Sequence, residues 1–229
     1  MTGGSAAVQG SLWGARARDW AEVQEAVSRP LYEAVLLQAG VGAKMRVLDV
    51  GCGAGLFCAL AAERAARVSG LDASPPLLAI AKERVPFGEF REGEMETLPY
   101  PDRTFDLVTG FNAFQFAARP REALVEARRV AQPGAPGPFA LSADGALEEF
   151  ARGAGLTPRR VGEADCPLEY SDLETALRGL LAGGPVVRAI QTSGEARVRE
   201  AVVEAIAPFR LSSGGYRLEN SFLFMIATA

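Results

Sequence analysis

Apolar and polar positions repeat with a changing period along this chain, and each change marks an element. Residues 45–50, Met-Arg-Val-Leu-Asp-Val, form a short run rich in branched apolar side chains, as suits a parallel strand covered on both faces. Gly51, Gly53 and Gly55 follow at alternate positions, and a helix is expected to begin at Leu56. Residues 68–72 repeat the short apolar run and end on an acid, Asp72. Ser74-Pro75-Pro76 then supplies a hydroxyl cap and a first-turn proline for another helix. Residues 104–109 read as a further strand. Ala123, Leu124, Ala127 and Val130 recur at helical spacing, and Gln132-Pro133-Gly134 stops that helix.

Upstream, two helices are expected over residues 15–39, broken near Ser28-Arg29-Pro30. Residues 1–10 are small and polar and read as frayed. Downstream, a helix over 146–154 stopped by Gly155 is followed by a strand over 156–161. Ser171-Asp172-Leu173-Glu174 has the form of a capping box for a helix running to Leu181, which Gly183-Gly184-Pro185 breaks. Another helix runs from Thr192 to Ile206, and residues 218–228 form a strong last strand.

The glycine turn carries the first chemical signal. Glycine permits positive φ and close approach of backbone to a ligand. Amides at the start of the following helix are expected to face that ligand. A dinucleotide turn needs a further glycine where this chain has Leu56, so that fingerprint fails. The run Asp49-Val50-Gly51-Cys52-Gly53-Ala54-Gly55 instead resembles the first motif of the class I S-adenosylmethionine-dependent methyltransferases. The resemblance covers roughly residues 20–134. It implies an α/β, Rossmann-like, seven-stranded mixed sheet with helices on both faces, whose last strand is antiparallel and inserted beside the fifth. It also implies a helical lid over residues 1–40, a cofactor-binding half over 45–134 and a C-terminal half over 140–229, all in one domain of residues 1–229. The helices around 172–206 exceed a minimal sheet and are expected to form a small cap.

The site residues follow from the same resemblance. Asp49, Gly51, Cys52, Gly53 and Gly55 would lie under the methionine part of S-adenosylmethionine, with S-adenosylhomocysteine as product. Asp72, followed by Ala73, would hold the ribose hydroxyls through charge-assisted hydrogen bonds, unless it only caps the next helix. Glu94 and Met95 would flank adenine, while Glu92 and Glu96 read as exposed acids of the same loop. Asn112 and Phe111 are placed beside the cofactor, with Trp20 above it from the lid. Trp13, Tyr32, Phe114 and Phe116 are candidates for the acceptor side; the aromatic residues of 111–116 either line the site or pack a helix onto the sheet. No catalytic residue can be named. No Asn-Pro-Pro-Tyr occurs, which argues against methylation of amino groups on nucleic-acid bases or glutamine.

One stretch departs from the family. Ala135-Pro136-Gly137-Pro138-Phe139 stands where a hydrophobic fifth strand is expected, and two prolines oppose a central strand. Residues are therefore suspected to be missing between about Gly134 and Pro136.

Composition narrows the classes. The 229 residues are 48% hydrophobic and 23% charged, as in a soluble globular protein. A net charge of −4 gives no broad basic surface, so nucleic acid is not an expected partner. No stretch suits a membrane span, and a cytoplasmic monomer or homodimer acting on a small molecule is expected. There is no histidine, which removes Ser-His-Asp and Cys-His hydrolases. The three cysteines form no metal or redox pair, and no metal is expected. The reading is methyl transfer to an oxygen, nitrogen or carbon nucleophile of a small molecule. Its rivals are an aminopropyltransferase, for which 111–116 offers no acids, and a non-catalytic binding partner or sensor.

Overall fold

The computed structural model describes residues 4–133, 136–139 and 145–229, the group 136–139 as backbone. The N-terminal segment is α1 (Ala6–Gly14), the single turn α2 (Ala17–Asp19), a wide π turn over Trp20–Gln24, a 3-10 turn over Glu25–Ser28 and α3 (Arg29–Gln38). Then come β1 (Arg46–Val50), α4 (Leu56–Ala62), β2 (Arg67–Asp72), α5 (Pro75–Arg84), β3 (Glu89–Glu92), β4 (Leu107–Thr109) and α6 (Pro120–Val130). The remainder is β5 (Pro136–Phe139), α7 (Ala146–Gly153), β6 (Thr157–Asp165), β7 (Leu168–Tyr170), α8 (Leu173–Leu180), α9 (Gly184–Ser193), α10 (Glu195–Ile206), β8 (Tyr216–Leu218) and β9 (Ser221–Thr228).

Strands β1 to β4 form a parallel sheet of order β3-β2-β1-β4, with Val47 of β1 paired to Val68 on one side and to Leu107 on the other. Side-chain alternation sends β1 into two cores. Leu48 and Val50 pack with Ala123, Leu124 and Leu147 of α6 and α7. Val47 packs with Leu31 and Val35 of α3 and with Phe57 of α4. Helices on both faces explain why β1 reads as a continuous apolar run. Val47 and Leu48 are fully buried, and each such side chain contributes about 1.5–3 kcal/mol.

The expected single seven-stranded sheet is not what forms. Strands β5, β9 and β6 make a separate antiparallel sheet with β9 in the middle, and β7 pairs with β8 in a two-stranded ribbon. The antiparallel last strand beside the fifth is present as the family pattern implies. Strand β5 lies against β4 without joining its ladder. The chemistry of β5 accounts for this: Pro136 and Pro138 have no N–H to donate. As expected, the prolines keep β5 from a central position; it forms at the edge of its sheet, where Pro136 and Pro138 pair with Thr228 and Ile226 of β9. The suspected junction at Gly134–Ala135 lies outside the described residues.

Two further expectations change. Of residues 1–10, read as frayed, residues 6–10 lie in helix α1 (Ala6–Gly14), which packs on α5 and α9. Gly183-Gly184-Pro185, read as a break, also starts a helix, because Pro185 in the first turn of α9 loses no hydrogen bond there. Of helices α8 to α10, α8 packs on the Trp20–Gln24 turn and α9 on α1, and Asp172 caps α8 by accepting the Thr175 N–H at 2.8 Å.

Candidate functional site

A cleft opens at the C-terminal ends of the parallel strands, where open α/β sheets bind ligands. Its space is about 730 Å³, the open mouth included. Its floor is the glycine turn. Gly51, Gly53 and Gly55 all take positive φ, at 75°, 55° and 81°. A Cβ on Gly51 would stand 2.5 Å from the Cβ of Ala113, and one on Gly55 would stand 2.9 Å from that of Ala81. The first glycine lets the β4 loop approach, and the last lets α5 pack. Gly51 and Gly53 line the cleft; Gly55 does not.

Asp72, at the end of β2, also lines the cleft. Its Oδ2 accepts the Gly53 N–H at 2.9 Å and its Oδ1 the Ser74 N–H at 2.8 Å. Burial pushes its carboxyl above the usual range, and these backbone hydrogen bonds pull it back. The helix-capping alternative belongs to Ser74, whose hydroxyl accepts from Leu77 N–H at 3.4 Å. Asp49 lies behind the turn, 3% exposed and outside the cleft wall, accepting the Thr109 hydroxyl at 2.6 Å. Burial raises its carboxyl to about 7, the Thr109 hydrogen bond opposes this, and the nearby Glu25 and Asp72 charges add to it.

The amides expected to face a ligand are partly taken. Gly53 N–H goes to Asp72, Gly55 N–H goes to Cys52 O at 2.9 Å, and Leu56 N–H goes to Glu25 at 3.4 Å. Protein carboxylates thus already accept from the N–H groups of Gly53 and Leu56 at the start of α4.

The remaining walls come from three segments. Ala73 and Met95 line the cleft, as do Phe111, Asn112 and Phe116 beyond β4. Asn112 has φ of 48°, a conformation asparagine tolerates better than most residues. The lid contributes Trp13, Trp20 and Tyr32. Trp13 stands edge-on to Trp20 at 4.9 Å and to Phe116 at 5.4 Å, and Tyr32 packs on Phe111 at 4.7 Å. Burial lifts the Tyr32 phenol well above its ordinary value, with Glu25 and Asp49 adding to the shift, so it stays protonated at neutral pH.

Some sequence-derived residues fall elsewhere. Phe114 is 5% exposed and sits in the core, its ring filling the space a Cβ on Gly110 would take. Cys52 is buried outside the wall, and burial pushes its thiol well up. Glu94 holds the start of α1, accepting Ala6 N–H at 2.9 Å and the Ser5 hydroxyl at 3.4 Å, and does not line the cleft. Glu96, read as an exposed acid, is 6% exposed and accepts the Arg119 N–H at 3.0 Å. Gln9, Ser28, Leu71, Leu77, Gly93 and Ala113 complete the wall without having been singled out. Only Ser28, at the lid break, had any distinguishing mark in the sequence.

Residues 48–136 match the family model described as Methyltransferase domain. Over that segment the chain is similar to methyltransferase domains. The malonyl-acyl-carrier protein O-methyltransferase of Serratia marcescens is 34% identical over 105 residues, which is 46% of this chain and 41% of that protein. The demethylmenaquinone methyltransferase of Chlorobaculum tepidum is 40% identical over 91 residues, 39% of this chain and 37% of that protein. The chain thus spans about half the length of the curated relatives it matches. Among solved structures, the YcgJ protein of Bacillus subtilis superposes with a TM-score of 0.59 at 19% identity over 86% of this chain and 97% of that one. The (4+2)-cyclase SpnF gives 0.60 at 19% identity, covering 86% and 80%. At this identity the structures establish the Rossmann-like fold alone. The matched segment runs from β1 to the start of β5 and holds the glycine turn, Asp72, Met95 and the 111–116 loop; the N-terminal helices lie outside it.

Proposed function

We propose that the chain is a methyltransferase that binds S-adenosylmethionine in this cleft and methylates an oxygen, nitrogen or carbon nucleophile of a small molecule. One observation carries the reading: a single cleft gathers a glycine turn, an acid at the neighbouring strand end and an aromatic lid. Gly51 and Gly53 keep the floor free of side chains where two strand ends meet, which suits a donor lying across them. Asp72 would hold the ribose hydroxyls, and Met95 would cover the adenine with a polarizable thioether. Gly51, Gly53 and Asn112 would border the methionine part, under Trp20. Glu94 would act on adenine through the position of Met95, whose N–H it accepts at 3.2 Å.

When bound, S-adenosylmethionine supplies a methyl group already activated on a sulfonium, and one displacement leaves S-adenosylhomocysteine. The chain's own work is alignment and exclusion of water. Trp13, Tyr32, Phe111 and Phe116 form an apolar wall against which the acceptor would be held. The Tyr32 phenol can donate a hydrogen bond but cannot serve as a base at neutral pH. An acceptor that ionises on its own, or loses its proton to water, suits such a site. The two named relatives act, by their names, on a malonyl group carried by acyl-carrier protein and on demethylmenaquinone. Turnover with methyl-labelled donor over a panel of metabolites and carrier-bound acids tests the reading. Transfer to any acceptor supports it; donor binding with no transfer across the panel favours a non-catalytic partner.

A further inference from the structure

The lid brings a buried carboxylate to the back of the glycine turn. Glu25 is 3% exposed. Its Oε1 accepts Leu56 N–H at 3.4 Å and lies 3.3 Å from the point a Cβ on Gly53 would occupy. Its Oε2 pairs with Arg84 Nη1 at 2.5 Å. The same nitrogen donates to Ala54 O at 2.9 Å, and Arg84 Nη2 donates to Ala21 O at 3.4 Å. One guanidinium from α5 therefore ties the lid, through Glu25 and Ala21, to the carbonyl of Ala54 inside the turn. A buried ion pair is poor value for stability, because well-packed apolar residues do as well without desolvating charge. What this pair achieves is placement: it sets the backbone of Gly53, Ala54 and Leu56 from a segment that also carries Trp20 and Tyr32. Glu25 itself does not line the cleft.

We infer that Glu25 is a positioning residue for the amino-acid end of the donor, acting through the backbone of the glycine turn. The assignment rests on the reading of the cleft as a donor site. It makes Glu25 matter for ligands that carry the amino-acid tail and not for the nucleoside alone, whose ribose is left to Asp72.

Calorimetry of the full chain with two probes separates these roles. S-adenosylhomocysteine has the tail; 5′-methylthioadenosine lacks it. Glu25→Gln keeps an acceptor for Leu56 N–H but removes the charge facing Arg84. It is expected to weaken S-adenosylhomocysteine about tenfold while 5′-methylthioadenosine changes less than about twofold. Asp72→Ala is expected to weaken both. Arg84→Lys keeps the charge and loses the two-pronged geometry, so it should repeat the selective loss and carries the test if Glu25→Gln fails to fold. Equal losses for both probes, or none for S-adenosylhomocysteine, would overturn the assignment while leaving the donor site standing. A wild-type chain that binds neither probe would overturn the donor site and the assignment together.

Discussion

The parallel and antiparallel sheets differ sharply in what covers them. Four of the five residues of β1 are buried, against one of the nine of β6. β1 is flanked by β2 and β4 and sandwiched by helices, whereas β6 is the edge of its sheet. The cleft follows the same division: among the described residues, those lining it lie between Gln9 and Phe116. The C-terminal half acts on the site from behind, by holding the lid. Arg178 of α8 binds Asp19 and Glu22, and the Tyr170 hydroxyl donates to Gln24 at 2.8 Å. Gly184 of α9 leaves room for the Trp13 ring, which would stand 2.6 Å from a Cβ there. The N-terminal half builds the site; the C-terminal half braces the lid from behind.

Charge removal tests this division first. Arg84→Ala strands the Glu25 carboxylate in the interior and should cost about 3–5 kcal/mol in denaturant unfolding. Arg199→Ala breaks the exposed pair with Glu174 in the cap and should stay within about 0.5 kcal/mol. Similar losses at both positions would erase the contrast.

Asp49 offers a pH test. Its folded value of about 7 stands above the ordinary 3.8, chiefly through burial. The folded state therefore binds the proton more tightly than the unfolded one, and this group's contribution falls as pH rises from about 4 to 7, then levels. The loss over that window is on the order of 4 kcal/mol. Asp49→Asn, followed by urea unfolding at several pH values, should flatten that part of the profile. An unchanged slope would show that Asp49 does not carry it.

Glycine substitutions probe backbone strain in the two halves. Gly51→Ala meets both positive φ and the Ala113 side chain, and should cost about 2–4 kcal/mol. Gly145→Ala has φ of 73° but open space, and should cost about 1–2 kcal/mol. Thermal melts giving equal losses for the two variants would show that close approach at Gly51 is unimportant.

What was legible in the sequence was local. The β1 run, the alternate glycines, Asp72 at the end of β2, and the Ser74 and Asp172 caps are each set by neighbours within a few residues. The long-range relations were not. Residues 6–14 show no apolar stripe, and their helix is anchored by Glu94, 88 residues away from Ala6. Glu25 looks like one more acid in a polar lid until folding brings Arg84 and Leu56 to it. Phe114 and Phe116 differ by two positions, yet one enters the core and the other the cleft, because a 3-10 turn rotates them apart. The divided sheet was foreshadowed by Pro136 and Pro138, but that the pair could still serve as a strand depended on β9.

The central claim is that the cleft binds the adenosyl donor with Asp72 on its ribose. Titration calorimetry with S-adenosylmethionine tests it most directly. The wild-type chain should bind one equivalent, and Asp72→Ala should weaken that binding by about 1–3 kcal/mol, through loss of hydrogen bonds to the ribose hydroxyls. No binding to the wild type, or affinity unchanged by Asp72→Ala, would contradict the account.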